Sequence, residues 1–478
     1  MSDNSRYIKK GIIWNSLSSF FRYVLQFGGI MILARLLSPN DYGVFGLMAI
    51  FISIAEVLMD GGLCAAVIKK ENASDLDFST LAVYNISASI ILYLTFYIVA
   101  PFIEQFYDCQ NLSTYLRVYS ITIVLHGLVM AHRTYAIKSM RFKFLSLTTM
   151  TSGFVGLVVA IVMAYLKFGV FSLIGQYLAN AIVYSATLYT RSHYHVKMGF
   201  SGKSFKEQFA FGINTTVANA LKTISENIYN NVIGKTCQLN QVGYYTQSNK
   251  LMQVPVAFFF TLIDTTFFPV MSQIHDKTEF VKNIVRLNTN TLKIIIPLFT
   301  LAISLNKEIV YFLLGEKWHG AESTLLILLV SGLIITWGNI GRNLIKCTGK
   351  TFLILKYEAV IFLISMFGLF VSAKFGYTYI VFCFLVVSII KAIYITTIAN
   401  KEVGIKFLDV LRPLYTLIVI CVLYLLCAGC FGHFLLPIGL VLKLVVSALL
   451  AFFYIRKFEG QLYVKIKRKI MSITHLSL

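Results

Sequence analysis

Long apolar runs, broken by short polar stretches, set the pattern of this chain. Leu147 to Tyr165, Phe352 to Ala373 and Tyr377 to Ala399 are runs of this kind with few or no charges. Each is long enough to cross roughly 30 Å of hydrocarbon as a helix. The alternating polar and apolar pattern of a membrane barrel is absent, so helices carry the spans. The runs predict helices at 12–34, 42–68, 79–106, 114–137, 147–166, 169–190, 208–233, 242–270, 287–314, 323–346, 352–373, 377–399, 411–431 and 434–456. The loops between them are too short for a folded extramembrane domain. The expected fold is therefore an all-α polytopic membrane protein with about 14 transmembrane helices.

Composition and charge sharpen this reading. The 478 residues are 57% hydrophobic and 13% charged, and the mean hydropathy is +0.75. Soluble chains carry about twice that charge fraction. The net charge of +21 would suggest nucleic acid in a soluble protein. Here the basic residues fall in loops, where they hold the topology, and no nucleic-acid partner is expected. With the N-terminus in the cytoplasm, about 26 Lys and Arg lie inside. About five lie outside: Arg35, Lys167, Lys235, Lys317 and Lys374. That asymmetry puts both termini in the cytoplasm, and the many apolar helices make the inner (plasma) membrane the expected location. The N-terminal segment runs on through Ala34 and reads as a retained first helix rather than a cleaved signal. The basic tail from Phe458 to Leu478 either lies on the anionic inner leaflet or is disordered. The eight cysteines are scattered, and the Cys427–Cys430 pair sits in an apolar helix, so they read as packing residues without a metal.

The first and seventh helices look alike. GIIWNSLSSFFRYVLQFGGIMILARLLSPNDYGVFGLM starts at Gly11, and GINTTVANALKTISENIYNNVIGKTCQLNQVGYYTQSNKL at Gly212. Each carries an early Gly-Ile and Asn, a basic residue in mid-helix and a short turn that opens the next helix. Gly43 aligns with Gly243, and Arg22 with Lys222. Six helices per repeat put both repeats on the same side, so they are parallel, related by an axis along the membrane normal. The expected organisation is a six-helix lobe at 1–200, a second at 201–402, a central cleft, and two additional helices with a basic tail at 403–478.

At these residues the sequence resembles the Wzx-type polysaccharide and lipopolysaccharide flippases, in the polysaccharide transporter family of the multidrug/oligosaccharidyl-lipid/polysaccharide exporter superfamily. ARLLSPNDYGVFGLMAIF, DGGLCAAVIKK and GYYTQSNKLMQVPVAFFFTLIDTTFFPVMSQI carry the resemblance. It implies that an undecaprenyl-diphosphate-linked oligosaccharide moves from the cytoplasmic to the periplasmic leaflet by alternating access, for surface polysaccharide biosynthesis. The implied partners are that lipid-linked cargo, membrane lipids, a polysaccharide polymerase and chain-length machinery.

Charges inside the predicted spans are the candidate chemistry. Each central one costs on the order of 2.5–3.5 kcal/mol on insertion scales, so it faces a cavity or a partner. Arg22 and Lys222 lie about 16 Å deep at 1.5 Å per residue, beyond easy snorkelling. The resemblance implies a cationic cleft from helices one, two, seven and eight, which makes Arg22, Lys222 and Lys250 the candidate cargo-binding residues. The alternative is that Arg22 and Lys222 pair with Glu56 and Glu226 as helix–helix contacts. Glu56, Asp60 and Asp264 are candidates for binding a proton or Na⁺ as coupling ion, with structural pairing as the alternative. No other cofactor and no catalytic residue is expected.

Two other functions compete. A multidrug exporter of the same superfamily would favour surplus acid in its cavity, whereas bases exceed acids in these spans. A membrane polysaccharide polymerase or ligase would need a catalytic constellation on a long outer loop, and the outer loops are short. Glu316, Lys317, Trp318 and His319 read as an interface anchor. No Walker motif appears, so ATP does not drive transport directly. The chain reads as a transporter, not an enzyme.

Overall fold

In the computed structural model, residues 21, 24, 25, 27–192, 194, 199–271, 277–347, 352–404, 414–431 and 436–458 are described. Each of the fourteen predicted helices has a counterpart. The first is α1, Phe27–Leu36. It is followed by α2 Pro39–Asp60, α3 Leu63–Lys69, α4 Asp75–Tyr107, α5 Leu112–Tyr119, α6 Ile121–Lys138, α7 Phe142–Tyr165, α8 Val170–Arg191, α9 Gly202–Thr236 and α10 Leu239–Met271. The remainder are α11 Lys277–Ser304, α12 Asn306–Ile309, α13 Glu322–Cys347, α14 Phe352–Ser372, α15 Tyr377–Val403, α16 Tyr415–Phe431 and α17 Leu436–Phe458. Eight spans among the described residues are long and apolar enough to cross a membrane. The chain is a multi-pass membrane protein.

Three predicted helices are interrupted, each for a local reason. The helix expected over 42–68 breaks between α2 and α3 at Gly61 and Gly62, whose φ values of 54° and 71° suit glycine. The helix expected over 114–137 breaks at Ser120, between α5 and α6. The helix expected over 287–314 passes through α12 into a π-helical turn at Val310–Leu314, a form common at functional positions. A 3₁₀ turn at Glu316–Ala321 leads into α13.

Helix starts follow capping chemistry. In LSPND, Ser38 is the N-cap of α2, Pro39 follows, and Asp41 completes a capping box. The Ser38 N–H donates to Asp41 Oδ2 at 2.8 Å and the Asp41 N–H donates to Ser38 Oγ at 3.2 Å. Ser74 and Asp77 repeat the device at the start of α4.

The fold divides into two compact units. The first comprises Met1–Val254, Leu313–Thr324 and Leu355–Val387. It runs past the expected lobe boundary at residue 200 because α9 packs along α2, α3 and α4. In it, a Cβ on Gly43 would collide with the Leu239 carbonyl, and one on Gly243 with the Pro39 carbonyl. A shift of 200 residues exchanges the two contacts, as related repeats require. Small residues here let two helices approach backbone to backbone. The second unit comprises Pro255–Phe312, Leu325–Ile354 and Ser388–Leu478. In it, α11, α16 and α17 are joined by a buried network. Lys443 donates to Glu308 at 2.6 Å and to the Ser304 carbonyl at 2.8 Å, and the Tyr424 and Ser304 hydroxyls are 2.8 Å apart. Burying such a pair costs desolvation that only good geometry offsets.

Candidate translocation site

Helix α2 turns one face to a chain of cavities. Phe45, Gly46, Ala49, Ile52, Ser53 and Glu56 line a cavity of about 440 Å³. Ser53, Glu56, Val57 and Asp60 line a second of about 280 Å³. The opposite wall is α9, with Thr216, Asn219 and Thr223 on the smaller cavity and Asn227 and Asn230 on the larger. This spacing of three or four residues is a polar helical stripe. Phe45 to Asp60 covers about 22 Å at 1.5 Å per residue. A third cavity of about 590 Å³ lies among α2, α6, α7 and α8. Glu56 borders all three.

The 440 Å³ cavity combines rings, amides and one cation. Tyr177 stacks on Phe45 with ring centres 5.2 Å apart, and Tyr119 meets Tyr177 at 5.5 Å. Asn180, Asn227, Asn230 and Asn249 add amide donors and acceptors. Asn249 Oδ1 is buried and, among the described residues, has no hydrogen-bond partner. Lys250 places its ammonium 5.4 Å from the ring centres of both Tyr42 and Phe45. Those faces attract it as cation–π partners, and no described carboxylate ion-pairs with it.

The predicted site residues fare differently. Lys250, eleven residues into α10 rather than eight, lines the larger cavity. Lys222 lies on α9 beside the polar stripe, half-exposed, with Glu226 at 3.7 Å one turn on. Arg22 lies outside the described residues, as does the side chain of Asp264. Glu56 and Asp60 share the smaller cavity with Arg133. Asp60 Oδ1 is buried and, among the described residues, has no hydrogen-bond partner. Among the described residues, the linings of these three cavities hold Arg133 and Lys250 against Glu56 and Asp60, so the described charge there is balanced.

Sequence reasoning missed His126. Its Nδ1 is 3.2 Å from Glu56 Oε1, and it borders two of the cavities. The residues are 70 apart in the chain, so no local spacing announces the pair. The α9 stripe has Thr and Asn at every third or fourth place, but other polar and charged residues in the same helix hid it.

Comparison with known proteins agrees with this architecture. E. coli K12 lipopolysaccharide biosynthesis protein WzxC is 21% identical over 353 residues, 73% of this chain and 71% of that protein. Rhizobium meliloti succinoglycan biosynthesis transport protein ExoT is 23% identical over 338 residues, 70% of this chain and 68% of that one. Among solved structures, lipid II flippase MurJ in an inward closed conformation matches with a TM-score of 0.74 at 15% identity, over 93% of this chain and 99% of that one. An inward-facing MATE-family multidrug transporter of the MOP superfamily matches with a TM-score of 0.58 at 15% identity, over 82% and 98%. These structural matches establish the fold. Residues 32–323 match the polysaccharide biosynthesis protein family, and the chain belongs to it.

Proposed function

We propose that the chain flips an undecaprenyl-diphosphate-linked oligosaccharide from the cytoplasmic to the periplasmic leaflet of the inner membrane by alternating access. Both termini are cytoplasmic in this reading, and the six-helix lobes at 1–200 and 201–402 are the moving parts. The observation that carries it is the lining of the 440 Å³ cavity. Aromatic faces and paired donor–acceptor amides suit a hydroxyl-rich glycan, and a cation without a carboxylate partner among the described residues suits a phosphate. Relatives named for succinoglycan biosynthesis transport and for lipopolysaccharide biosynthesis support the same cargo class. A multidrug exporter is the weaker reading, because family and relatives both point to polysaccharide.

Lys250 holds the anionic head of the cargo, with Lys222 and Arg22 as further cations on the path. Glu56 with His126, and Asp60 beside them, form the coupling site. A carboxylate already held by an imidazole nitrogen favours a proton over Na⁺, because Na⁺ prefers oxygen ligands. The test is glycan export in a flippase-null strain, with membrane levels measured. The wild-type chain restores export. Lys250→Gln loses a charge-assisted contact of about 1.5–3 kcal/mol, or ten- to hundredfold in cargo binding. Full export by a normally expressed Lys250→Gln variant would remove Lys250 from the site.

A further inference from the structure

The turn at Glu316–Ala321 does not behave as the interface anchor that its Trp and charges predict. An anchoring Trp keeps its ring edge among lipid headgroups. Trp318 is fully buried. Its indole N–H donates to the Ala34 carbonyl at 2.9 Å, and the Lys317 ammonium to the Arg35 carbonyl at 3.0 Å. The turn thus caps carbonyls at the end of α1 that the helix itself leaves open. The Trp318 ring is 5.3 Å from Tyr42, edge-on, and 6.2 Å from Tyr244. A Cβ on Gly320 would collide with the Tyr244 ring. One indole is therefore held by the first turns of α2 and α10, the helices that meet at Gly43 and Gly243.

The same Tyr42 ring, with Phe45, carries the Lys250 ammonium. A continuous line of contacts runs from the 440 Å³ cavity through Lys250 and Tyr42 to Trp318. A phosphate in the cavity is a stronger partner for an ammonium than an aromatic face is. Drawing Lys250 toward it takes a support away from Tyr42, and so from Trp318. The turn that must then move is short, is 3₁₀ in form, follows Gly315 at φ 97° and is preceded by the π-helical turn. Such segments shift more readily than regular α-helix.

We infer that the Glu316–Ala321 turn is the outer gate of the translocation path, with Trp318 as its latch and Lys250 as the residue through which bound anion releases it. The word outer rests on the orientation proposed above. The experiment uses the full chain in a cysteine-free background, with Ala49→Cys as reporter in the cavity and an impermeant thiol reagent added outside intact cells. Trp318→Ala should raise the labelling rate tenfold or more, and Trp318→Phe less. Labelling at the parental rate in well-expressed Trp318→Ala overturns the gate. In a second arm, Arg35→Cys and Lys317→Cys are cross-linked with a short bifunctional thiol reagent. Export should fall at least tenfold, and full export by the cross-linked protein overturns the gate independently of how Trp318 variants fold. In a third arm, millimolar pyrophosphate added to purified protein should speed labelling of Ala49→Cys severalfold, and fail to do so with Lys250→Gln. Equal acceleration in both, or none in either, overturns the Lys250 link. The labelling arms need no transport. A gate that opens as described in a chain that exports no glycan would leave this inference standing and overturn the transport reading instead.

Discussion

The two ends of the seam between α2 and α9–α10 share a glycine crossing and differ in what lies beside it. At the Pro39 end the closure is dry: backbone crosses backbone at Gly43 and Gly243, Gly46 abuts Thr246, and Trp318 is buried beside Tyr42 and Tyr244. At the Asp77 end backbone also crosses backbone, Gly62 against Gly212, but a polar network lies beside the crossing. Asp77 accepts from Lys70 at 2.9 Å and from the Ser204 hydroxyl. Gln208 donates to the Asp77 carbonyl at 3.2 Å and to Ser204 Oγ at 2.9 Å. Glu207 lies 3.7 Å from Lys70, and hydrogen bonding to Asp77 holds the Lys70 ammonium above its usual range. Polar groups can trade these partners for water as they separate, at little net cost. A close-packed apolar contact has no such exchange and parts only by exposing surface. The dry end therefore needs a trigger from within the path, whereas at the other end hydration can release the polar network beside the Gly62–Gly212 crossing.

The largest effect should come from adding one methyl group at the dry end. Gly43→Ala or Gly243→Ala puts a Cβ against a carbonyl oxygen on the facing segment, and backbone cannot swing aside as a side chain can. Overpacking of this kind costs about 1–3 kcal/mol, and more where the backbone must move. Either variant should lower the melting temperature of the purified protein and cut export tenfold or more. Gly28→Ala is the matched control, since nothing lies within 4 Å of a Cβ there. A Gly243→Ala variant that melts and exports like Gly28→Ala would show that the close approach is not essential.

An intermediate effect is expected from Asp77→Asn at the polar end. Asp77 is nearly fully buried, but Lys70 is 41% exposed, so the stranded ammonium can hydrate. The single amide oxygen can keep the Ser204 bond made at Oδ1 or the capping-box bonds made at Oδ2, but not both. Breaking the pair should cost nearer 1 than the 3–5 kcal/mol of a fully buried one. The expected readout is faster labelling of Lys203→Cys and Lys206→Cys from the cytoplasmic side in inverted vesicles, with export reduced severalfold. Ser204 itself is buried against Asp77, so it is a poor reporter. Unchanged labelling would mean that the polar network does not close that end.

The dry end was partly legible in the sequence and the polar end hardly at all. Long apolar runs fix helices without reference to partners, and Ser-Pro-Asn-Asp announces a capped start. The alignment of Gly43 with Gly243 pointed to a shared role, although only structure shows that each faces the other's preceding turn. Trp318 was misread because a Trp next to charges fits an interface and a plug equally well. Gly61–Gly62 disappeared into an apolar run. Asp77 and Ser204 are 127 residues apart, and Glu56 and His126 are 70 apart. Long-range pairs of common polar residues carry no local signal. For Lys222, the i, i+4 partner at Glu226 was legible because helical geometry alone brings it close.

The smallest effect separates charge from shape at the polar end. Lys70→Gln removes the ammonium that faces Asp77 and Glu207 but keeps a donor of similar reach. Lys70 lies at the solvent-exposed end of the network, where an ion pair is worth about 0–1 kcal/mol and salt weakens it further. Asp77 would keep its bonds from Ser204 and the Ser74 capping box. Export should therefore fall less than twofold, and stability should barely change. The informative measurement is the salt dependence of Lys203→Cys labelling. With Lys70 present, raising ionic strength from about 0.01 M to 1 M shortens the screening length from roughly 30 Å to 3 Å and should speed labelling. With Gln at this position that dependence should flatten. A salt response that survives Lys70→Gln undiminished would assign it to other charges, leaving the hydrogen bonds among Asp77, Ser204 and Gln208 as the closure.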